Sequence, residues 1–274
     1  MNAVFITRLM NARQPIRGII RVVIRKAGIG SPKFQYEIGA IRRPNYAYLV
    51  YQAAQLAYRL GHKRVSVLEF GVAGGAGLLA LERHAEWIEK IFPVGIEIYG
   101  FDTGEGLPEP DSYRDLQYHY KPGFYRMDQK ALRARLKRSV LVLGNVRDTV
   151  KTFISDHSPA PIGAVSHDLD FHSSTMDGLK LFDAPDSNLL PRIFCYFDDV
   201  IGGDVELFND FTGERAAIHD FNSAHTDRKL SPAYYLMATA GPQWHYQIWT
   251  LHNFNHPQYG QFVSAENQHL AIDG

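Results

Sequence analysis

Two short apolar runs in this chain end in the same way. Residues 162–165 lead into Asp168 and Asp170, and residues 192–197 lead directly into Asp198 and Asp199. Short apolar runs bounded by polar residues predict strands buried on both faces, as in a parallel sheet covered by helices. Such sheets bind ligands at their carboxyl edge, so acids at both strand ends meet at one spot if the strands are neighbours. Clustered carboxylates repel, and the expected relief is a hard divalent cation, Mg2+ or Mn2+, which prefers oxygen ligands. The alternative is local, with Asp168 and Asp198 only capping the segments that follow. Ser173, Ser174 and Thr175 open a helical pattern over 175–182.

The rest of the chain keeps a strand-helix beat. A helix is predicted over 45–60 and stopped by Gly61, then a strand over 65–68. Next comes Glu69-Phe-Gly-Val-Ala-Gly-Gly-Ala-Gly77, and a helix over 78–91. Strand, glycine-rich turn and helix is an arrangement in which the backbone closely approaches a nucleotide-like ligand. The spacing E-x-G-x-x-G-G does not match the dinucleotide fingerprint, which Phe70 and Ala73 break. A strand over 95–101 ends in Asp102, placed either to accept from ribose hydroxyls or to serve as a turn residue. Thr103-Gly-Glu-Gly-Leu-Pro-Glu-Pro110 then enters a long segment containing Tyr113, Tyr118, Tyr120 and Tyr125, expected to be a lid or to be disordered. Helix over 131–137, strand over 140–143 ending at Gly144-Asn145, and helix over 146–154 follow. Residues 204–228 read as one broken helix. Alternation over 244–249 and 259–263 predicts an antiparallel hairpin closing one edge of a mostly parallel, Rossmann-like α/β sheet.

Bulk properties narrow the partners. The 274 residues are 45% hydrophobic and 21% charged, as in ordinary globular proteins. The division expected is a basic N-terminal arm with a capping helix over 1–60, and one large domain over 61–274. A formal net charge of +0 gives no global field for nucleic acid. With 1 Cys there is no disulfide framework and no cysteine-based zinc site. No apolar run reaches the roughly 18 residues of a membrane span, and a cytoplasmic location is expected. Arg8, Arg13, Arg17, Arg21, Arg25, Lys26 and Lys33 all precede the first acid, Glu37. Arg13, Arg17, Arg21 and Arg25 share one helical face, opposite Ile16, Ile19, Ile20, Val23 and Ile24. This arm is expected to pack on its own domain or to make homo-oligomer contacts.

Three segments together resemble the macrocin O-methyltransferase-like family of metal-dependent class I methyltransferases. Leu68-Glu-Phe-Gly-Val-Ala-Gly-Gly75 looks like its cofactor loop, and Tyr99-Gly-Phe-Asp-Thr-Gly-Glu-Gly-Leu-Pro-Glu-Pro110 is similar to its FDSFEGLPEP segment. Asp168-Leu-Asp-Phe-His-Ser-Ser-Thr175 resembles DxDLYEST, and Phe197-Asp-Asp199 resembles its IDD strand end. His172 and Ser173 replace the family's Tyr-Glu, and Leu189-Leu-Pro191 replaces Pro-Gly-Gly. The resemblance implies the class I methyltransferase fold and S-adenosylmethionine (SAM) as cofactor. It implies Glu69, Gly71, Gly74, Gly75, Asp102, Thr103 and Asn145 along the cofactor, and Asp168, Asp198 and Asp199 as metal ligands. Asp170 becomes the candidate base. Strand parity would point Asp170 the same way as Asp168, and would do the same for His172, whose ordinary pKa also suits a base. The function expected is metal-assisted O-methylation of a hydroxylated small molecule, such as a sugar or diol. A non-catalytic SAM- or nucleotide-binding module and a nicotinamide-dependent oxidoreductase are the alternatives.

Overall fold

In the computed structural model, residues 14–238 and 241–264 are described. Five strands, β1 (Arg64–Phe70), β2 (Gly95–Asp102), β3 (Val140–Leu143), β4 (Ile162–His167) and β5 (Leu189–Phe197), pair in parallel. Two more, β6 (Arg228–Pro232) and β7 (Ile248–Asn253), complete a seven-stranded sheet in the order β3-β2-β1-β4-β5-β7-β6. Strand β7 runs antiparallel to both its neighbours. The antiparallel pair at the end of the chain is therefore present, but with other strands than 244–249 and 259–263. Its first member, β6, lies just past the broken helix expected over 204–228. Only Leu230 of β6 is buried, so the strand carries almost no apolar signal.

Helices α1 (Gln14–Ala27), α2 (Pro32–Glu37), α3 (Pro44–Arg59), α4 (Ala76–Ile88), α5 (Gln129–Arg133), α6 (Val146–His157), α7 (His172–Leu179), α8 (Gly213–Ala224) and α9 (Tyr234–Met237) surround the sheet. Val65 and Val67 of β1 pack with Tyr46, Ala53 and Ala57 of α3 and Leu78 and Leu81 of α4. Leu68 and Phe70 face the other core, with Phe153 of α6, Leu179 of α7 and Phe221 of α8. Two covered faces explain why the central strands read as continuous apolar runs. Strand order reverses between β1 and β4, so the crevice at their carboxyl ends is the place such sheets offer a ligand.

The arm calls for separate treatment. Arg8 and Arg13 lie outside the described residues. Helix α1 seats Ile24 against Ile38 and Ala40, flanked by Ile20 and Phe34, and Arg21 Nε donates to the Ile38 carbonyl at 2.8 Å. Ile19 and Val23 remain exposed. Among the described residues no helix is long and apolar enough to cross a membrane.

Helix α4 is tied to the turn before α3 through His84. Its Nε2 lies 3.0 Å from the Arg42 carbonyl, while Trp87 Nε1 donates to Nδ1 at 3.3 Å. One nitrogen must donate and the other accept, so the ring fits only when neutral. Burial lowers its pKa to about 4. The unfolded chain protonates this histidine near pH 6.5 and the folded chain does not, so its contribution is complete above about 6.5 and lost as pH falls toward 4. Denaturant titrations at stepped pH are expected to show stability falling over that window, by up to about 1.4 kcal/mol per pH unit from this group. His84→Gln is expected to flatten that slope; an unchanged slope would show that other groups carry it.

Candidate active site

The glycine loop is shaped by a backbone contact. Gly71 follows β1 with φ +80°, a left-handed value that disfavours a side chain. A Cβ there would come within 1.7 Å of the Asp168 carbonyl oxygen at the end of β4. Gly71 N–H donates to the Phe101 carbonyl at 2.9 Å, and Asp168 N–H to the Phe70 carbonyl at 3.0 Å. Asp102, at the end of β2, accepts from Val72 N–H at 2.9 Å and Ala73 N–H at 2.8 Å through Oδ2. Its Oδ1 accepts from Gly104 N–H at 2.6 Å. Asp102 therefore holds the loop's shape as well as bordering the crevice. Thr103 turns the chain by donating to the Gly106 carbonyl, and Asn145 caps α6 by accepting from Arg147 N–H.

These elements wall a cleft of about 480 Å³. Gly71, Ala73, Asp102, Thr103 and Asn145 line one part, and Asp168, Asp170, Asp198 and Asp199 another. Three of the expected cofactor residues are placed elsewhere. Gly74 is exposed, with open space where a Cβ would stand. Gly75 begins α4 with φ +76°, packed against Leu132. Glu69 turns away from the cleft toward α3, where Tyr46 donates to its Oε1 at 2.6 Å. Burial pushes Glu69 up to about 8, against the Tyr46 hydrogen bond, so it keeps its proton at neutral pH.

The acids lie as the strand ends dictate, with one difference. Strand β4 stops at His167, so parity does not orient Asp170; it has φ +58° and reaches the cleft through a left-handed turn. Its N–H donates to Asp199 Oδ2 at 3.2 Å, while Tyr120 donates to Asp199 Oδ1 at 3.1 Å. Tyr196 donates to Asp198 Oδ1, and Gln247 Nε2 to the Asp198 carbonyl at 2.7 Å. Burial, then the charges of Asp198 and Asp199, raises Asp168 well above the usual carboxylate range. Burial, then Asp170 and Asp198, does the same to Asp199. Asp170 is pushed up to about 6, by burial first, while the neighbouring Tyr120 hydroxyl works the other way. Among the described residues no Lys or Arg lines the cleft, while His119 does. The adjacent imidazole, His167, is stacked 4.4 Å from Phe197 and held by burial at about 3, so it is neutral. Among the described residues no three His, Cys, Asp or Glu side chains form a ready-made metal cage; protein donors occupy both Asp199 oxygens and Asp198 Oδ1.

His172 is not brought to this cluster. It starts α7 and its Nε2 lies 3.0 Å from Asp220 Oδ2 on α8, a carboxylate that Arg114 also binds at 2.8 Å. Nor do Ser173 and its neighbours cap the helix, which begins three residues earlier than 175. Asp115 does so from the Tyr-rich segment, fully buried and accepting from Ser173 N–H at 2.9 Å and Ser173 Oγ at 3.0 Å. That segment packs onto the fold through Leu116 and Tyr120, which meet Phe171, and Tyr120 lines the cleft. Sequence reading missed Asp115 and Glu214, and named Tyr120 only as part of the lid segment, not as a donor to Asp199. The Asp-Leu-x-x-x-Tyr spacing from 115 to 120 holds the only local hint, one acid within an otherwise aromatic run.

No family model matches the sequence, and no curated protein matches it. Among solved structures the chain is similar to CalS11, a calicheamicin methyltransferase, with 20% identity and TM-score 0.52 over 89% of this chain and 88% of that one. It is also similar to the O-methyltransferase NovP, with 13% identity and TM-score 0.51 over 77% and 80% of the two chains. These likenesses, with the observed strand order, define a Rossmann-like class I methyltransferase fold.

The loop geometry separates two glycines. Gly71→Ala must accept a left-handed backbone and a clash with rigid backbone, and is expected to cost at least about 2 kcal/mol of stability. Gly74→Ala meets open space and is expected to stay within about 0.5 kcal/mol of wild type. Equal effects in denaturant unfolding would contradict this account of the loop.

Proposed function

We propose that this protein is a SAM-dependent O-methyltransferase that uses Mg2+ or Mn2+ to methylate a hydroxyl of a small molecule, of sugar or diol type. The observation that carries the reading is the meeting of Asp168, Asp198 and Asp199 with the glycine loop in one cleft. The donor set fits a hard cation: buried and half-buried carboxylates, mutually repelling, with no lysine or arginine among the described residues lining the cleft. Asp168, Asp198 and Asp199 would hold the ion, and Tyr120 and Tyr196 would release the oxygens they now occupy. Gly71, Asp102, Thr103 and Asn145 would border the cofactor. The resemblance of 168–175 and 99–110 to the macrocin-type family, and the names of the two similar structures, support the same reading.

SAM would supply the methyl group, and the cation would lower the pKa of the acceptor hydroxyl and fix its oxygen. Asp170 takes the hydroxyl proton as the methyl group passes to oxygen. Its carboxyl is buried and raised toward neutrality, which suits a base working near pH 7. Tyr120, packed with Leu116 on Phe171, lines this part of the cleft.

Calorimetry is expected to show SAM binding far tighter than NAD; the reverse would favour an oxidoreductase. Asp168→Asn is expected to lose Mn2+ binding and activity while SAM affinity stays nearly unchanged. Asp170→Asn is expected to keep both ligands and lose about 10²–10⁴ in rate, the usual effect of a positioned base. Full activity after EDTA treatment would rule out the metal, and a fully active Asp170→Asn would rule out the base.

A further inference from the structure

Glu214 is an acid in the first turn of α8, where the helix dipole favours one, but it is buried beside the site's other acids. It is the second residue of α8, fully buried, and it sits behind the acidic cluster rather than in the cleft. Its Oε2 accepts from Asp199 N–H at 2.9 Å, and its Oε1 lies 3.5 Å from Leu169 N–H. The first N–H belongs to the turn that closes β5, the second to the turn that closes β4. A single carboxylate thus faces both turns that carry the site's acids.

The approach of α8 is built for this contact. Gly213, with φ +57°, lets the helix begin close under the Asp170 turn, where a Cβ would stand 3.5 Å from the Asp170 carbonyl oxygen and 3.1 Å from Leu116. Among the described residues no salt bridge reaches Glu214, and its neighbour Arg215 turns to Asp210. Burial, then the charge of Asp199, holds the Glu214 carboxyl well above the usual carboxylate range, and its charged form would add to a region already crowded with acids, whereas an apolar residue would not. What the carboxylate supplies, and an apolar side chain would not, is two acceptors at a fixed span.

We propose that Glu214 is a positioning residue, whose carboxylate sets the spacing of the β4 and β5 turns so that Asp168, Asp198 and Asp199 face a common point. The proposal rests on the metal-assisted reading above. Outer groups that orient ligands typically change metal affinity by about 10–100-fold when removed.

The test is Mn2+ binding and steady-state kinetics on the full chain. Glu214→Gln has the same shape but turns an N–H2 group toward one of the two backbone donors. It is expected to weaken Mn2+ binding about tenfold or more and to lower kcat, with SAM affinity within about twofold of wild type. A residue that only supports the fold would lower the melting temperature and leave Mn2+ affinity and kcat in place, and that result overturns the proposal. If Glu214→Gln does not fold, Glu214→Asp gives the same reading, because the shorter side chain does not span both donors. A wild-type chain that binds no Mn2+ overturns the metal reading and the proposal with it. A wild type that binds, beside a variant that binds equally well, overturns the proposal alone.

Discussion

The cleft depends on one close approach of two backbones. Gly71 leaves β1 and meets the carbonyl of Asp168 as it leaves β4, with no room between them for a single carbon. Cross-strand hydrogen bonds on either side, Gly71 to Phe101 and Asp168 to Phe70, lock the three turns of β2, β1 and β4 into one surface. The loop that borders one half of the cleft and the acids that border the other therefore do not move independently. A rigid frame of this kind is what a reaction between two bound molecules requires, since small misplacements slow such reactions steeply.

Around that frame the protein accepts an unfavourable electrostatic arrangement. Asp170, Asp199 and Glu214 are buried and Asp168 half-buried within reach of one another, and Asp170 also has a left-handed backbone. Burial and mutual repulsion both disfavour the charged forms. Backbone N–H groups from the turns, and the hydroxyls of Tyr120 and Tyr196, offset part of the penalty. Sequences break local rules of this kind mainly at functional sites.

Much of this was legible in the sequence because it is local. The central strands are buried on both faces and so appear as apolar runs, and their terminal acids follow without a gap at Asp198 and Asp199. What was not legible depends on contacts between distant segments. Asp115 caps α7 from 58 positions away, and Glu69 faces Tyr46 across 23 positions, so neither role shows in its own neighbourhood. His172 keeps favourable chemistry for a base, yet Asp220 on another helix draws its ring elsewhere. Strand β6 escaped notice because an edge strand with a single buried residue has no alternation to detect. The helix after Asp170 was placed late because its cap comes from the lid and not from its own serines.

The position of β7 has a consequence for how the molecule is made. It fills the gap between β5 and β6, although it is the last of the seven strands in the sequence. On the ribosome, β5 and its acidic end emerge before the strand that covers their open side. Until residues 248–253 arrive, β5 presents a row of unpaired backbone groups from Arg192 to Tyr196, and β6 has no partner. The sheet edge next to the site is thus the last part to close during synthesis. A nascent chain stalled before that strand exposes to chaperones the side that the finished protein hides.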